Sequence, residues 1–140
     1  MTLNRKSVEV NILDRTLGRD KYRLVDPLGS NTKLYALAKT SSQKEYVLIL
    51  DLAGYPEACP KIYVRGELKD HWGKPMSETS ASMHCYGYED GNTRLCQGWQ
   101  ASWTPAYHIF ALYMRGLFWL ECYERHLATG ETIDKYLKHA

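Results

Sequence analysis

The residues of this sequence best suited to covalent chemistry are its four cysteines, Cys59, Cys85, Cys96 and Cys122. They form no Cys-x-x-Cys pair, and the five histidines are not spaced from them as zinc ligands are, so we expect no metal site. We also expect no cofactor, because the sequence contains no glycine-rich nucleotide-binding motif. In a reducing compartment each cysteine is a thiol that either packs in the core or acts as a nucleophile.

Cys96 differs from the other cysteines in its sequence setting. It follows the polar stretch EDGNTRL (89–95), which is typical of a loop in which a thiol is accessible. Cys122, in contrast, lies within the longest helical pattern of the chain. Burial is the commoner fate of any single cysteine, so the setting alone does not make Cys96 a nucleophile.

The elements that would position these thiols begin with residues 3–18, LNRKSVEVNILDRTLG. Val10, Leu13 and Leu17 recur at helical spacing and Gly18 is a plausible helix stop. Alternation of apolar residues in the same segment leaves a strand as an alternative, but we favour a short helix. Strands are predicted next, at 21–25, 33–40, 45–52 and 61–64, because these runs are rich in aromatic and branched residues. The separators DPLGSN and SSQK form turns, so the four runs predict an antiparallel meander.

The second half of the chain predicts a loop-rich segment followed by one long helix. Residues 66–95 show no sustained period and are dense in turn formers, which indicates a largely irregular segment. Thr104 as cap and Pro105 in the first turn predict a helix start, and Gly130 predicts its end. Arg115 and Trp119 fall on the helix face opposite the apolar stripe of Ile109, which makes them candidates for a partner surface. We expect a single α+β domain over residues 1–140.

Composition excludes several classes of partner. The formal net charge of +2 is too small to imply a nucleic-acid partner. The most apolar window, 106–120, is interrupted by His108, Arg115 and Gly116, so it indicates a buried core helix rather than a membrane span. The amino end has no apolar block typical of a secretory signal. We therefore expect no membrane partner and a cytoplasmic protein.

Two prolines mark the connection to the fourth predicted strand. Pro56 fixes its own φ angle and Pro60 lacks an N–H donor, so this connection should run extended across the end of the sheet. Tyr55, Pro56, Pro60, Lys61 and Ile62 stand at the spacing Tyr-Pro-x-x-x-Pro-Lys-Ile. The segment resembles the Tyr-Pro-x-x-x-Pro-Lys-Val turn of ubiquitin-conjugating enzymes, which leads from their third strand into their fourth.

The residues around Cys96 extend this resemblance. His84 precedes Cys96, and Trp103, Thr104 and Pro105 follow it, in the order of the family's His-Pro-Asn stretch, catalytic cysteine and Trp-Ser-Pro stretch. The similarity covers about residues 20–120. The stretch WLECYERHLATGE (119–131) resembles the bacterial branch of the family, and most of all the stand-alone conjugating protein of CBASS operons, the antiphage cyclic-oligonucleotide systems.

The resemblance implies a UBC-like fold and a ubiquitin-conjugating-like acyltransferase of bacterial antiphage defence, with Cys96 as its catalytic cysteine. Cys96 would accept the C-terminus of a protein partner as a thioester and pass it to an amine, and the implied partner is a cGAS-like nucleotidyltransferase. Sulfur suits this chemistry because a thiolate is both a good nucleophile and a good leaving group. The chain has no room for an adenylating domain, so any acyl-adenylate chemistry would be performed by another polypeptide, such as a separate activating enzyme. In the short form of the operon that activator is absent, and the sequence then leaves open how the thioester forms.

The sequence departs from the family at the group that stabilises the oxyanion. Eukaryotic members use the Asn of His-Pro-Asn, whereas the stretch here is His84, Cys85 and Tyr86. Asn92, four residues before Cys96, is one candidate replacement, and the Tyr86 hydroxyl and backbone N–H groups are others. His84 is either a general base or a structural residue that bonds the active-site loop, and we favour the structural role.

Two other functions remain open from the sequence. The missing Asn makes a catalytically inert UBC-like protein-binding module credible. A cysteine hydrolase that uses Cys96 with His84 is the less favoured alternative, because it requires an imidazole within hydrogen-bond reach of the thiol.

Overall fold

Two α-helices and one antiparallel sheet form the framework of the chain. The computed structural model describes residues 1–78, 81–96, 98 and 100–137. The elements are α1 (Leu3–Thr16), β1 (Tyr22–Val25), β2 (Lys33–Lys39), β3 (Glu45–Asp51), β4 (Lys61–Val64), β5 (Cys85–Glu89), β6 (Asn92–Leu95) and α2 (Ile109–Thr129). The sheet has six strands in the order β1-β2-β3-β4-β6-β5, and each neighbouring pair is antiparallel. The predicted α+β class is confirmed.

The core lies between one face of the sheet and α2. Alternate residues of β2 face inward, and Leu34, Ala36 and Ala38 are fully buried. Gly116 of α2 lies so close to β3 that an added Cβ would come within 2.9 Å of a Leu48 methyl group. This glycine therefore sets how closely the helix approaches the sheet. In the part of the chain that the structure describes, no helix is long and apolar enough to cross a membrane.

The sheet is larger than the sequence predicts. β1 to β4 form where the aromatic and branched runs predict strands, but residues 85–95, predicted to be irregular, form the hairpin of β5 and β6. Asp90 and Gly91 have φ angles of 53° and 77° and form the two-residue turn. An Asp-Gly pair between strands is a strong hairpin signal, because both residues of such a turn need positive φ. The prediction of irregular structure for residues 85–95 is wrong, because the Asp-Gly turn allows the residues on either side of it to pair as strands.

α2 ends at the predicted residue but begins later than predicted. Gly130 adopts the left-handed conformation, with φ 78°, that ends a helix, as the sequence predicts. The predicted start at Pro105 is wrong: Thr104 caps a single turn, accepting a bond from the Ala106 N–H at 3.2 Å, and the helix begins at Ile109.

The reason for this late start is a residue distant in sequence. Glu9, on α1, is completely buried and accepts a hydrogen bond from the Ile109 N–H at 2.7 Å. Its other oxygen bonds His108 Nδ1 at 2.7 Å and Arg5 Nε at 3.1 Å. A second Arg5 nitrogen donates to the Tyr55 hydroxyl at 2.8 Å. We call Arg5, Glu9, Tyr55 and His108 the Glu9 cluster. A carboxylate at the first turn satisfies N–H groups that would otherwise lack partners, so α1 determines where α2 begins.

Candidate functional site at the Cys96 edge

Cys96 lies just beyond the last residue of β6, at the end of the sheet where β4 and β5 begin. Leu95 pairs with Ile62 of β4 on one side and with Cys85 of β5 on the other. The Cys96 N–H then donates to the carbonyl oxygen of His84 at 2.9 Å. We call this end of the sheet the Cys96 edge. The Cys96 side chain is half-buried there, so it is held by the sheet yet partly open to solvent.

The Tyr86 side chain lies beside Cys96. A β-bulge between Cys85 and Gly87 takes Tyr86 out of the regular ladder, and the residue is 54% exposed. The Tyr86 hydroxyl hydrogen-bonds the Cys96 sulfur, and this bond, together with burial, raises the pKa of the phenol above its ordinary value. Tyr86 therefore keeps its proton and remains a donor at neutral pH.

Two polar side chains hold Tyr86 in place. The guanidinium of Arg94 lies over the Tyr86 ring, 4.8 Å from its centroid. Nε2 of Gln100 donates to the Tyr86 oxygen at 3.4 Å. Both contacts act to lower the pKa of Tyr86, but the bond to Cys96 outweighs them. The phenol is thus oriented from both its face and its oxygen.

The guanidinium of Arg115 lies beside Gly98, two residues after Cys96. Gly98, with φ 77°, packs so close to α2 that a Cβ there would lie 3.2 Å from a guanidinium nitrogen of Arg115. Together with Arg94, this brings two cationic groups near the loop that carries the thiol.

His84 contacts Cys96 through its main chain. It is 2% exposed and has a positive φ of 50°. Its Nε2 lies 2.8 Å from Oδ1 of Asp134, in the segment after α2. The structure thus brings His84 and Cys96 together through the backbone and directs Nε2 of the imidazole toward Asp134. This geometry is compatible with the favoured structural role.

Trp119 of α2 contacts the Cys96 edge from the core. Its predicted place on a partner surface is wrong. It is 1% exposed, and its indole N–H donates to the carbonyl oxygens of Met83 at 3.3 Å and His84 at 3.0 Å. These acceptors precede Trp119 by 36 and 35 residues, so helical periodicity alone did not reveal them. The His84 carbonyl therefore joins the core of α2 to the backbone of Cys96.

Asn92 is not brought to Cys96. It is the first residue of β6, and four residues of strand separate two positions by ~13 Å. Its Oδ1 accepts from the Gly66 N–H at 3.0 Å, and its Nδ2 donates to the Asp90 carbonyl at 3.4 Å. The Asn92 side chain thus braces the hairpin at the end remote from the thiol.

Two of the sequence segments that carry the resemblance contact each other. The Trp103 indole N–H donates to the Pro56 carbonyl at 2.8 Å, and the Trp103 ring lies 6.2 Å from that of Tyr55. Trp103 also stacks on Tyr107 at 5.2 Å. This contact ties the connection before β4 to the segment that follows Cys96.

The other three cysteines have less reactive surroundings. Burial raises the pKa of Cys59, Cys85 and Cys122, so these thiols hold their protons more tightly than an ordinary cysteine. Among the residues that the structure describes, no group of three or more His, Cys, Asp or Glu side chains is placed to hold a metal ion. In comparisons with protein-family models, curated proteins and solved structures, this chain matches none of them.

Proposed function

We propose that this protein is a UBC-like cysteine acyl carrier. Cys96 accepts the activated C-terminus of a protein partner as a thioester and passes it to an amine. The observation that carries the proposal is the half-buried Cys96 thiol at a sheet edge, hydrogen-bonded to a tyrosine hydroxyl. Such a thiol is accessible to a large acyl donor, whereas the main chain fixes its position.

The proposed UBC-like fold is supported by how the segments of the resemblance meet. The segment that ends in Pro60 opens β4, which pairs with the strand leading into Cys96. Trp103 bonds back to Pro56, and His84 bonds the Cys96 backbone. In this proposal β5 and β6 extend the sheet on the side that presents the thiol.

The proposed partner is a cGAS-like nucleotidyltransferase that offers its C-terminus, and the proposed setting is bacterial antiphage defence in the cytoplasm. This part of the proposal is supported by the resemblance of residues 119–131 to the CBASS conjugating proteins. A separate activating enzyme supplies the partner's C-terminus in activated form.

Cysteine hydrolysis is less well supported. A hydrolase of this type needs an imidazole that takes the proton of the thiol. His84 is almost fully buried, and its main-chain carbonyl accepts the bond from the Cys96 N–H. A carrier needs no such imidazole, because a cysteine thiol is a good nucleophile without a dedicated base.

The test uses a short peptide that ends in a glycine thioester, incubated with the purified protein and followed by intact mass. We expect one acyl adduct on Cys96 that hydroxylamine removes, and none with Cys96→Ala. The matched control Cys59→Ala should form the adduct at the wild-type rate. An adduct on another cysteine, or no adduct, overturns the assignment, and rapid release of the free peptide acid without adduct favours the hydrolase.

A further inference from the structure

We infer that Tyr86 is a catalytic residue of this site, and that its phenolic O–H donates a hydrogen bond to the oxyanion formed when the Cys96 thioester reacts with an amine. This inference rests on the proposed function. It assigns the oxyanion donor, for which the sequence leaves several candidates.

The position of the Tyr86 hydroxyl carries the inference. Its oxygen already hydrogen-bonds the sulfur of Cys96. In a thioester the carbonyl oxygen is two bonds from that sulfur, so a donor that reaches the sulfur needs only a small shift to reach the oxygen. The bulge at Cys85/Gly87 makes this possible, because it turns Tyr86 away from the regular alternation of β5.

The surroundings of Tyr86 suit a donor rather than a base. The Arg94 guanidinium over the ring withdraws negative charge from the phenol, which makes the O–H a stronger donor. The Gln100 amide donates to the same oxygen and leaves the phenolic hydrogen directed elsewhere. A donor that is already oriented loses little entropy during the reaction.

The reaction step balances as follows. The lone pair of a primary amine attacks the carbonyl carbon, a C–N bond forms, and the π electrons of the carbonyl move to its oxygen. Tyr86 donates a hydrogen bond to that oxyanion and keeps its proton. When the carbonyl re-forms, the C–S bond breaks and its electron pair stays on Cys96 as a thiolate. The excess proton of the nitrogen passes to water.

The other side chains considered for this role are less well placed. Asn92 lies at the far end of β6, and both ends of its amide are bonded there, Oδ1 to the Gly66 N–H and Nδ2 to the Asp90 carbonyl. Nε2 of His84 bonds Asp134. Tyr86 is therefore the side-chain donor that the geometry assigns to the developing charge.

The experiment loads Cys96 with the glycine thioester of mercaptoethanesulfonate and measures aminolysis by free lysine. Tyr86→Phe removes only the hydroxyl, and we expect aminolysis to fall by about a hundredfold to a thousandfold, in line with the loss of one oxyanion donor. The matched control is Tyr35→Phe, because Tyr35 also lies beneath an arginine, Arg65, at 5.8 Å. This control should change the rate by less than about twofold, as expected of a substitution away from the site.

Alkylation of Cys96 by iodoacetamide separates catalysis from mere positioning of the sulfur. Alkylation uses the same thiolate but forms no oxyanion, so Tyr86→Phe should change it much less than it changes aminolysis. Equal losses in both reactions, or unchanged aminolysis, would overturn the inference while the Cys96 adduct still supports the proposed function. A loss of aminolysis confined to high pH would also overturn it, because it would indicate a base. If the wild-type protein forms no adduct at Cys96, the proposed function itself fails.

Discussion

The Cys96 edge and the Glu9 cluster are built from similar residue types but differ in exposure. Each contains an arginine over a tyrosine ring: Arg5 lies 5.1 Å from the Tyr55 centroid, and Arg94 lies 4.8 Å from that of Tyr86. Each also has a histidine bonded to a carboxylate. Tyr55 is 3% exposed, whereas Tyr86 is 54% exposed. The same arginine–tyrosine pair thus has a buried ring in the Glu9 cluster and a solvent-exposed ring at the Cys96 edge.

The difference between the two regions lies in how completely their polar groups are bonded within the protein. Both oxygens of Glu9 accept bonds from protein donors, and the Tyr55 hydroxyl donates to the Tyr107 carbonyl at 3.0 Å. Buried polar groups are stabilising only when they are satisfied in this way. At the Cys96 edge the Tyr86 side chain is largely exposed and the Cys96 side chain is half-buried, so an incoming molecule can reach them. Exposure, rather than residue type, distinguishes the Cys96 edge from the Glu9 cluster.

The largest effect on stability is expected from Glu9→Ala. Removing this buried carboxylate takes away the acceptor of Arg5 Nε and of the first N–H of α2, and breaking such a buried pair costs about 3–5 kcal/mol. Urea unfolding measures the loss. The exposed Glu57→Ala serves as the control and should change the free energy of unfolding by less than about 0.5 kcal/mol. A loss below about 1 kcal/mol for Glu9→Ala would remove the contrast between the regions.

A smaller effect is expected from Trp119→Phe. This substitution tests whether the buried indole N–H of Trp119 stabilises the Cys96 edge. The change removes the N–H that bonds the Met83 and His84 carbonyls, and the unfolding free energy should fall by about 1–2 kcal/mol. The same substitution at Trp72, which is 71% exposed, is the control in the same urea experiment. Equal losses of unfolding free energy at the two tryptophans would show that the hydrogen bonds of the Trp119 N–H add no stability.

The smallest effect concerns alkaline pH. Burial raises the pKa of Tyr55 above its ordinary value, although its bond to Arg5 lowers it. Above a pH of about 10 the unfolded chain therefore releases this proton before the folded chain does, and stability falls as pH rises. Tyr55→Phe should destabilise the protein by about 1 kcal/mol at neutral pH.

The pH dependence of that difference is the test. The stability gap between wild type and Tyr55→Phe should narrow as the pH is raised past 10, because only the wild type loses this contribution. Tyr86→Phe should leave the alkaline slope nearer to that of wild type, because more than half of Tyr86 faces solvent. Parallel curves for wild type and Tyr55→Phe would contradict the expectation.

The sequence predicts those features whose signals are local. The helix over residues 3–16, the positions of β1 to β4 and the end of α2 at Gly130 follow from periodicity and from turn and cap residues. The start of α2 and the burial of Trp119 do not, because Glu9 and His84 act across 100 and 35 residues of chain. The Asp90-Gly91 turn is a local signal for the hairpin, but it stands in a segment otherwise dense in turn-forming residues, which predicts irregular structure.

The same division applies to the candidate site. The sequence singles out Cys96, and the main-chain bond to His84 depends on strand pairing that no local pattern encodes. Asn92 is near Cys96 in sequence but distant along an extended strand. Tyr86 contacts the thiol because of a bulge, and the contributions of Arg94 and Gln100 become visible only once the strands are paired. Proximity in sequence is therefore a poor guide to proximity at this edge.

The two-residue turn at Asp90 and Gly91 has a consequence for how this hairpin can vary. Successive side chains of a strand point to opposite faces, so deleting or inserting a single residue in the turn would exchange the inward and outward sets of β6. Thr93 and Leu95, which are buried, would turn to solvent. The side chain of Cys96, which follows the strand directly, would turn inward. Homologous hairpins that keep the thiol accessible should therefore differ from this one by an even number of turn residues.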